Sequence, residues 1–266
     1  MKAATNFKSA GKTVSIFSFL IIFLILSCTH HDRGRNRIII DANGAVIRKD
    51  TTRKVIHLVF TGHDHAEGFP VIEEVLNNHG IKASFFFTGD FYRNPDFKPI
   101  IGALIKEDHY LGAHSDKHLL YCSWENRDSL LVDRSLFVSD LERNYSEMSG
   151  FGIEKKEAIW FMPPYEWYNK DIASWTEEMG LILVNFSPGT RSNADYTYPE
   201  MGSSFVSSGE ITESILGYEE KNGMNGFILL IHIGTDPRRI NKYYDHLDHL
   251  VSQLKNKGYG FAKIDE

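Results

Sequence analysis

The chain has 266 residues, of which 42% are hydrophobic and 24% are charged, and these values are those of a globular protein and exclude a disordered or fibrous chain. Its 29 lysine and arginine residues are outnumbered by 35 acidic residues, so the formal net charge is −6 and there is no basic surplus for binding nucleic acid. The two cysteines, Cys28 and Cys122, exclude a disulfide framework and a CxxC zinc ribbon.

The N-terminal segment predicts an export signal. Residues 1–27 carry three lysines and no acidic residue, and they contain an uncharged, apolar run of thirteen residues from Val14 to Leu26. A helix of that length spans roughly 20 Å, which is shorter than the ~30 Å hydrocarbon core of a bilayer. We therefore predict a signal peptide over 1–27, with an uncleaved membrane anchor as the alternative.

The end of this segment predicts a lipid anchor. The residues Ile25-Leu26-Ser27-Cys28 resemble a bacterial lipobox, in which the cysteine becomes the lipidated first residue of the mature protein. This resemblance implies an exported bacterial lipoprotein that is attached to a membrane through Cys28 and faces the periplasm or the cell surface. Residues 28–37 then form a polar tether, and Cys122 is expected to be a buried free thiol.

Residues 38–266 predict one α/β domain in which strands and helices alternate. A hairpin comes first, because Ile38–Ile40 and Ala45–Ile47 flank Asn43-Gly44, a strong two-residue turn signal. Further strands are predicted at 55–60, 83–87, 110–113, 159–161, 181–184 and 227–231, and helices at 69–78, 99–107, 135–149, 170–179 and 242–255. This alternation indicates a parallel sheet with right-handed crossovers, and the number of strands suits a closed or nearly closed (β/α) barrel.

Histidine and aspartate residues gather where the predicted strands end. His63 and Asp64 follow the first core strand, His114 and His118 follow the third, and His232 follows the last. In an α/β barrel the reacting groups lie at the carboxyl ends of the strands. The sequence therefore predicts an active site at this rim.

The spacing of His114 and His118 favours metal binding. A four-residue gap would place two imidazoles on one side of a helical turn, where both can reach one ion. Asp64 is the best carboxylate to complete the set, and two histidines with one carboxylate form a catalytic zinc arrangement that also suits other divalent metals. An isolated HxxxH pair is, however, weak evidence for a metal site.

Four segments between Val55 and the C-terminus are similar to the motifs of one known family. They are 82–87 (KASFFF), 107–118 (EDHYLGAHSDKH), 161–165 (FMPPY) and 226–232 (GFILLIH). In this order they resemble the motifs of the polysaccharide deacetylases of carbohydrate esterase family four. Members of that family bind one zinc or similar ion and remove N- or O-acetyl groups from sugars. The resemblance implies an irregular (β/α) barrel of about seven strands, to which the N-terminal hairpin is added.

The resemblance also implies roles for particular residues. Asp64, His114 and His118 would bind one divalent metal ion, with zinc as the first choice. The residues that would serve catalysis are the general acid His232, the backbone N–H of Tyr165 at the oxyanion, and Asp195, which with Tyr196 would orient the acid. Leu230 would bind substrate by lining the pocket for the acetyl methyl group.

Two positions depart from the family pattern. The first motif is normally Thr-Phe-Asp-Asp-Gly, whereas this chain has Thr61-Gly62-His63-Asp64-His65, so that His63 stands where the base belongs. Met162 replaces an arginine that pairs with the base carboxylate in the family. The two changes agree, because a neutral imidazole base needs no guanidinium partner. We predict His63 as the base, with Glu67 as the alternative, although the same changes also fit a loss of catalysis.

These observations predict a metal-dependent carbohydrate deacetylase, a hydrolase of non-peptide C–N bonds. Its substrate would be a polysaccharide or cell-wall glycan that carries N-acetyl groups, with O-acetyl groups as a variant. Arg191 and Trp167 are candidate substrate-binding residues. The alternative is a catalytically impaired lipoprotein that binds carbohydrate on the same fold. The chain lacks a P-loop, a dinucleotide fingerprint and a GxSxG elbow, so no nucleotide partner is expected.

Overall fold

A curled, mostly parallel β-sheet forms the centre of the fold, and the computed structural model describes it within residues 38–266. The predicted signal peptide, the tether and Cys28 lie outside the described residues. The strands are β1 (Ile39–Ile40), β2 (Val46–Arg48), β3 (Val55–Gly62), β4 (Ser84–Phe87), β5 (Tyr110–Ala113), β6 (Trp160–Phe161), β7 (Ile182–Leu183), β8 (Phe227–His232) and β9 (Gly260–Phe261). Their order is β1-β2-β8-β3-β4-β5-β6-β7, and β9 pairs with β3.

The N-terminal hairpin lies between the two ends of the parallel sheet. Strand β2 is antiparallel to both β1 and β8. On its other side, Val46 of β2 bridges Val184, which directly follows β7, and the N–H of Asn185 donates to the carbonyl of Val46 at 2.9 Å. The pairings from β8 through β3 to β7 are all parallel. The predicted irregular barrel with an added hairpin is therefore confirmed.

Alternate residues of the strands point into two separate apolar clusters. Val59, Phe86 and Leu230 belong to a small cluster inside the barrel. Their strand neighbours Phe60 and Phe85 belong to the larger cluster beneath the helices. The alternation follows from the two-residue period of a β-strand, and burial on both faces explains why these strands are apolar without interruption.

Seven α-helices surround the sheet in the described part of the chain. They are α1 (Phe69–His79), α2 (Gly89–Arg93), α3 (Lys98–Lys106), α4 (Arg134–Ser149), α5 (Lys170–Glu178), α6 (Ser208–Asn222) and α7 (Leu247–Asn256). Helix α1 ends as predicted, at Gly80, whose left-handed backbone (φ 60°) lets its N–H bond to the last helical carbonyls. The predicted helix over 242–255 begins instead with a 3-10 turn at Tyr243–His246.

Helices α2 and α6 and strand β9 were not predicted from the sequence. Helix α6 carries two internal glycines, Gly209 and Gly217, which weaken its helical pattern. The start of α6 could nevertheless have been predicted, because Ser207 and Glu210 have the spacing of a capping box, and the structure contains the complete box. Cys122 is buried and free, as predicted, and burial raises the pKa of its thiol to about 11. Between residues 38 and 266, no helix is both long enough and apolar enough to cross a bilayer.

Candidate active site

A cavity of 670 Å³ opens at the carboxyl ends of the barrel strands. Six of the predicted site residues line it, namely His63, Asp64, His114, His118, Tyr165 and His232. The rule that reacting groups lie at strand ends therefore located the cavity correctly.

The histidine pair after β5 lies on an irregular loop. Ser115 (φ 72°) and His118 (φ 54°) both have left-handed backbones, so the predicted helical turn between His114 and His118 is wrong. The two rings are nevertheless neighbours, with 5.1 Å between their centroids. Left-handed conformations of non-glycine residues cost energy and persist only where the surroundings hold them.

Asp140 of α4 holds this loop. Its Oδ2 accepts hydrogen bonds from the Ser115 hydroxyl at 2.6 Å and from the N–H of Asp116 at 2.9 Å, and its Oδ1 accepts from the N–H of Lys117 at 3.2 Å. Asp140 is fully buried. One helix carboxylate therefore fixes the three residues between the two histidines.

Asn144, one turn further along α4, fixes His114 itself. Its Oδ1 accepts from the N–H of His114 at 2.9 Å. The Nδ1 atom of the His114 ring lies 2.8 Å from the carbonyl oxygen of Met162. A carbonyl can only accept, so Nδ1 carries the proton and Nε2 keeps a free lone pair.

Both histidines of the pair are neutral at physiological pH. Burial lowers the pKa of His114 to about 3 and that of His118 to about 2. Neutral imidazole is the form that binds metals. The two side chains therefore fit a divalent cation in their protonation state.

The third predicted metal ligand does not join them. The Asp64 side chain is 71% exposed, and its Oδ1 lies 3.4 Å from Nε2 of His63. Across residues 38–266, no three His, Cys, Asp or Glu side chains are arranged to hold one metal ion. The predicted triad of Asp64, His114 and His118 is thus not assembled, because Asp64 points to solvent and His63.

The two candidate bases have different surroundings. His63 stacks on His118 at 4.8 Å, and its Nδ1 lies 3.0 Å from Oγ1 of Thr88. Glu67 accepts from the N–H of Thr235 at 2.8 Å and from Nζ of Lys242 at 2.9 Å. Burial raises the pKa of Glu67, but these hydrogen bonds outweigh it and the net shift is downward. Glu67 therefore stays an ionised structural partner of Lys242.

Asp195 and His232 are in direct contact. Asp195 Oδ1 lies 2.6 Å from Nδ1 of His232, and its Oδ2 accepts from the His232 N–H at 2.8 Å. Burial lowers the pKa of His232, but the charge and hydrogen bond of Asp195 outweigh it, so the pKa is raised. The contact turns Nδ1 toward the carboxylate and leaves Nε2 without a partner among the described residues.

A buried arginine supports the loop that carries Asp195. Arg239 is 1% exposed, and its guanidinium donates to the carbonyls of Thr197 and Val206 and to the hydroxyl of Ser208. Arg239 was not predicted as a buried residue, because nothing in its local sequence distinguishes it from a surface arginine.

Three predicted residues do not line the cavity. Leu230 is fully buried inside the barrel, because its position on β8 points inward. Arg191 is exposed, and its backbone N–H donates to Oγ of Ser214. Trp167 lies beneath Arg127, with 3.7 Å from the guanidinium carbon to the ring centroid. The expected roles of Leu230, Arg191 and Trp167 at the substrate stay predictions.

Glu166 is one of the cavity residues that were not predicted from the sequence. Glu166 follows the FMPPY segment directly and lines the cavity. Both Tyr165 (φ 59°) and Glu166 (φ 52°) have left-handed backbones, and burial raises the pKa of Glu166 to about 7. The signal available in the sequence was a carboxylate immediately after a strand-end motif.

Comparison with known proteins establishes the family. The family model described as polysaccharide deacetylase matches residues 48–184, which is just over half of the chain. The chain belongs to the polysaccharide deacetylase family.

Named relatives and solved structures agree with this assignment. A peptidoglycan-N-acetylglucosamine deacetylase of Bacillus cereus is 25% identical over 214 residues, covering 80% of this chain and 87% of the relative. The structure of PdaA from Bacillus subtilis, a family 4 carbohydrate esterase, has a TM-score of 0.64 at 22% identity, covering 84% of this chain and 83% of that one. Wild-type BA3943 from Bacillus anthracis, a CE4 family pseudoenzyme, has a TM-score of 0.65 at 16% identity, covering 85% and 69%.

Proposed function

We propose that this chain is a metal-dependent hydrolase that removes N-acetyl groups from the glucosamine residues of a cell-wall glycan. The observation that carries the proposal is the Asp195–His232 pair at the cavity that also contains the neutral His114 and His118. The substrate class is suggested by the Bacillus cereus relative, which is named as a peptidoglycan-N-acetylglucosamine deacetylase. O-acetyl groups on the same kind of glycan are the variant substrate.

His232 is the proposed general acid. Its Nδ1 is held by Asp195, so the protonated ring would present Nε2–H to the leaving amine. The raised pKa keeps a larger fraction of the ring protonated near neutral pH than an isolated histidine would have. The backbone N–H of Tyr165 is proposed to stabilise the oxyanion.

A divalent cation, with zinc as the first choice, is proposed to bind at His114 and His118. Asp64 is the proposed third ligand, and its exposed side chain would have to turn away from His63 to reach them. When bound, such an ion supplies a Lewis acid for the acetyl carbonyl and for water. His63, the base predicted from the sequence, lies next to this site and stacks on His118.

The test is acetate release from N-acetylated peptidoglycan fragments and chitooligosaccharides, measured together with the metal content of the purified protein. We expect acetate release by the wild-type protein. His114→Ala and His118→Ala should each lower both the metal content and the turnover, because each removes a neutral imidazole donor.

The matched control is His249→Ala, which removes an exposed histidine of α7. We expect it to change neither readout. Metal content that is equal in the wild type and both cavity variants would exclude the proposed ligands.

A second candidate function is carbohydrate binding without catalysis. Trp124 is 58% exposed at the cavity and contacts Tyr165 edge-on at 5.6 Å and Trp167 at 5.4 Å. Exposed aromatic rings of this kind suit stacking on sugars. Glycan binding with no acetate release, in the assay above, would favour this function.

Attachment to a membrane through Cys28 is also proposed. We expect that labelled fatty acid is incorporated into the protein made in a bacterial host and that Cys28→Ala abolishes the incorporation. Cys122→Ala should leave it unchanged, because Cys122 is buried in the domain. Equal labelling of the wild type and Cys28→Ala would exclude the lipid anchor.

A further inference from the structure

The backbone around Glu166 is fixed in an unusual conformation. The N–H of Glu166 donates to the carbonyl of Pro163 at 3.1 Å, and its own carbonyl accepts from Nδ2 of Asn185 at 3.1 Å. Two consecutive non-glycine residues, Tyr165 and Glu166, are left-handed there. Such strained positions cluster at functional sites, where the strain orients a side chain.

The Glu166 carboxylate shares the cavity with the proposed acid. Among the described residues it forms neither a hydrogen bond nor an ion pair. It lines the cavity together with His232, and charge on each of these two residues shifts the pKa of the other. A carboxylate and an acid that line one cavity can both reach a substrate bound there.

The other candidate bases are engaged. His63 has Thr88 at Nδ1 and Asp64 at Nε2, so both of its ring nitrogens face protein groups. Glu67 is bound to Thr235 and Lys242. Besides Asp64, which is the proposed metal ligand, Glu166 is a cavity-lining carboxylate whose oxygens accept no hydrogen bond from the described residues.

We propose that Glu166 is the catalytic base for the nucleophilic water, an inference that rests on the proposed hydrolase function. Glu166 stands in the same strand-end segment as Met162, at which the family's base-pairing arginine is missing. A carboxylate after β6 would thus replace the aspartate that is missing after β3, and it needs no arginine at position 162.

Glu166 and His232 together carry out the proton transfers of amide hydrolysis. The Glu166 carboxylate takes a proton from water while the water oxygen bonds to the acetyl carbon and the carbonyl electron pair moves to its oxygen. The C–N bond then breaks as His232 gives the proton on Nε2 to the sugar nitrogen. Acetic acid and a free amine leave, and transfer of the proton from Glu166 to His232 restores both groups.

The ionisation of Glu166 suits this role. Burial raises its pKa to about 7, the positive charge of His232 opposes the rise, and the negative charge of Asp195 adds to it. Burial raises the pKa of the Tyr196 phenol, and the negative charge of Glu166 adds to that rise. A base whose pKa lies near the working pH is ionised in a large fraction of molecules and still binds a proton well.

The test compares the acetate-release kinetics of the purified wild-type protein, Glu166→Gln and Glu166→Ala on soluble N-acetylated chitooligosaccharides and peptidoglycan fragments. Loss of a general base should lower kcat at least ~100-fold with KM little changed. Added formate should restore part of the kcat of Glu166→Ala, because a small carboxylate can enter the space left by the side chain. Glu200→Gln, at an exposed glutamate outside the cavity lining, is the matched control.

The outcomes separate the two proposals. If the wild type releases acetate and Glu166→Gln has the same kcat, Glu166 is not the base, while the hydrolase function still stands. A higher KM with unchanged kcat also overturns it, since that result indicates substrate binding. A wild-type protein that releases no acetate from either substrate overturns both. Formate rescue keeps the test decisive if Glu166→Gln folds poorly, because a residue with only a structural role shows no rescue.

Discussion

Asp195→Asn is expected to lower kcat about 10³- to 10⁴-fold while the protein stays folded. Asp195 accepts two hydrogen bonds from His232, one from the ring Nδ1–H and one from the backbone N–H. Asparagine has one acceptor oxygen and one donor group, so with its oxygen on the backbone N–H its NH2 group would face Nδ1, which favours the neutral ring with an unprotonated Nδ1 over the imidazolium. The imidazolium form of His232 loses its partner, and the general acid is both misoriented and neutral.

The contribution of the Asp195–His232 pair to the stability of the fold depends on pH in a definite direction. The pKa of folded His232 is raised, so the pair stabilises the fold fully below the unfolded histidine pKa of about 6.5 and loses this contribution as the pH rises through the folded value. The stability difference between wild type and Asp195→Asn should therefore be largest at acidic pH. Besides Asp195, the groups that face His232 are Glu166, Tyr196 and the two buried histidines, His114 and His118.

The measurement is the NMR titration of the His232 ring in wild type and variant, together with kcat. We expect the His232 pKa to fall in Asp195→Asn. Asp236→Asn is the control, because Asp236 lies at the same cavity and pairs with Arg238 instead of with His232. An unchanged His232 titration in Asp195→Asn would show that the pair does not set the state of the acid.

The strands and most helices were predictable because each depends on a local pattern. The apolar runs of β3 and β8 are buried on both faces, and α1 ends at a glycine. The loop between His114 and His118 was not predictable, since its conformation depends on Asp140, which lies more than twenty residues later on another element.

The site residues also divide into those that a local pattern places and those whose position depends on distant contacts. The strand-end rule located the cavity histidines, because their position along the chain is enough to place them at the rim. It could not show that Asp64 turns toward His63 or that Leu230 points into the barrel, because both depend on side-chain direction. Glu166 was missed because its exposure to the cavity depends on a left-handed backbone that its residue type does not favour.

Asp140→Ala is expected to destabilise the protein by about 3 kcal/mol and to lower turnover as well. The substitution leaves the Ser115 hydroxyl and the N–H groups of Asp116 and Lys117 without their acceptor in a buried region. The left-handed conformations of Ser115 and His118 then lose the contacts that hold them, so His118 should move relative to His114. Urea unfolding measures the stability, and acetate release at a concentration where the variant is folded measures the site.

Asp133→Ala on the same helix separates the two effects. Asp133 caps the N-terminus of α4 by accepting from the N–H of Leu136 at 2.8 Å, and it does not line the cavity. It should lower stability less than Asp140→Ala and leave the turnover of the folded protein unchanged. If both variants lose turnover in proportion to stability, Asp140 acts through the helix as a whole. A selective loss in Asp140→Ala shows that this carboxylate shapes the histidine loop, and through it the position of His118 beside His63.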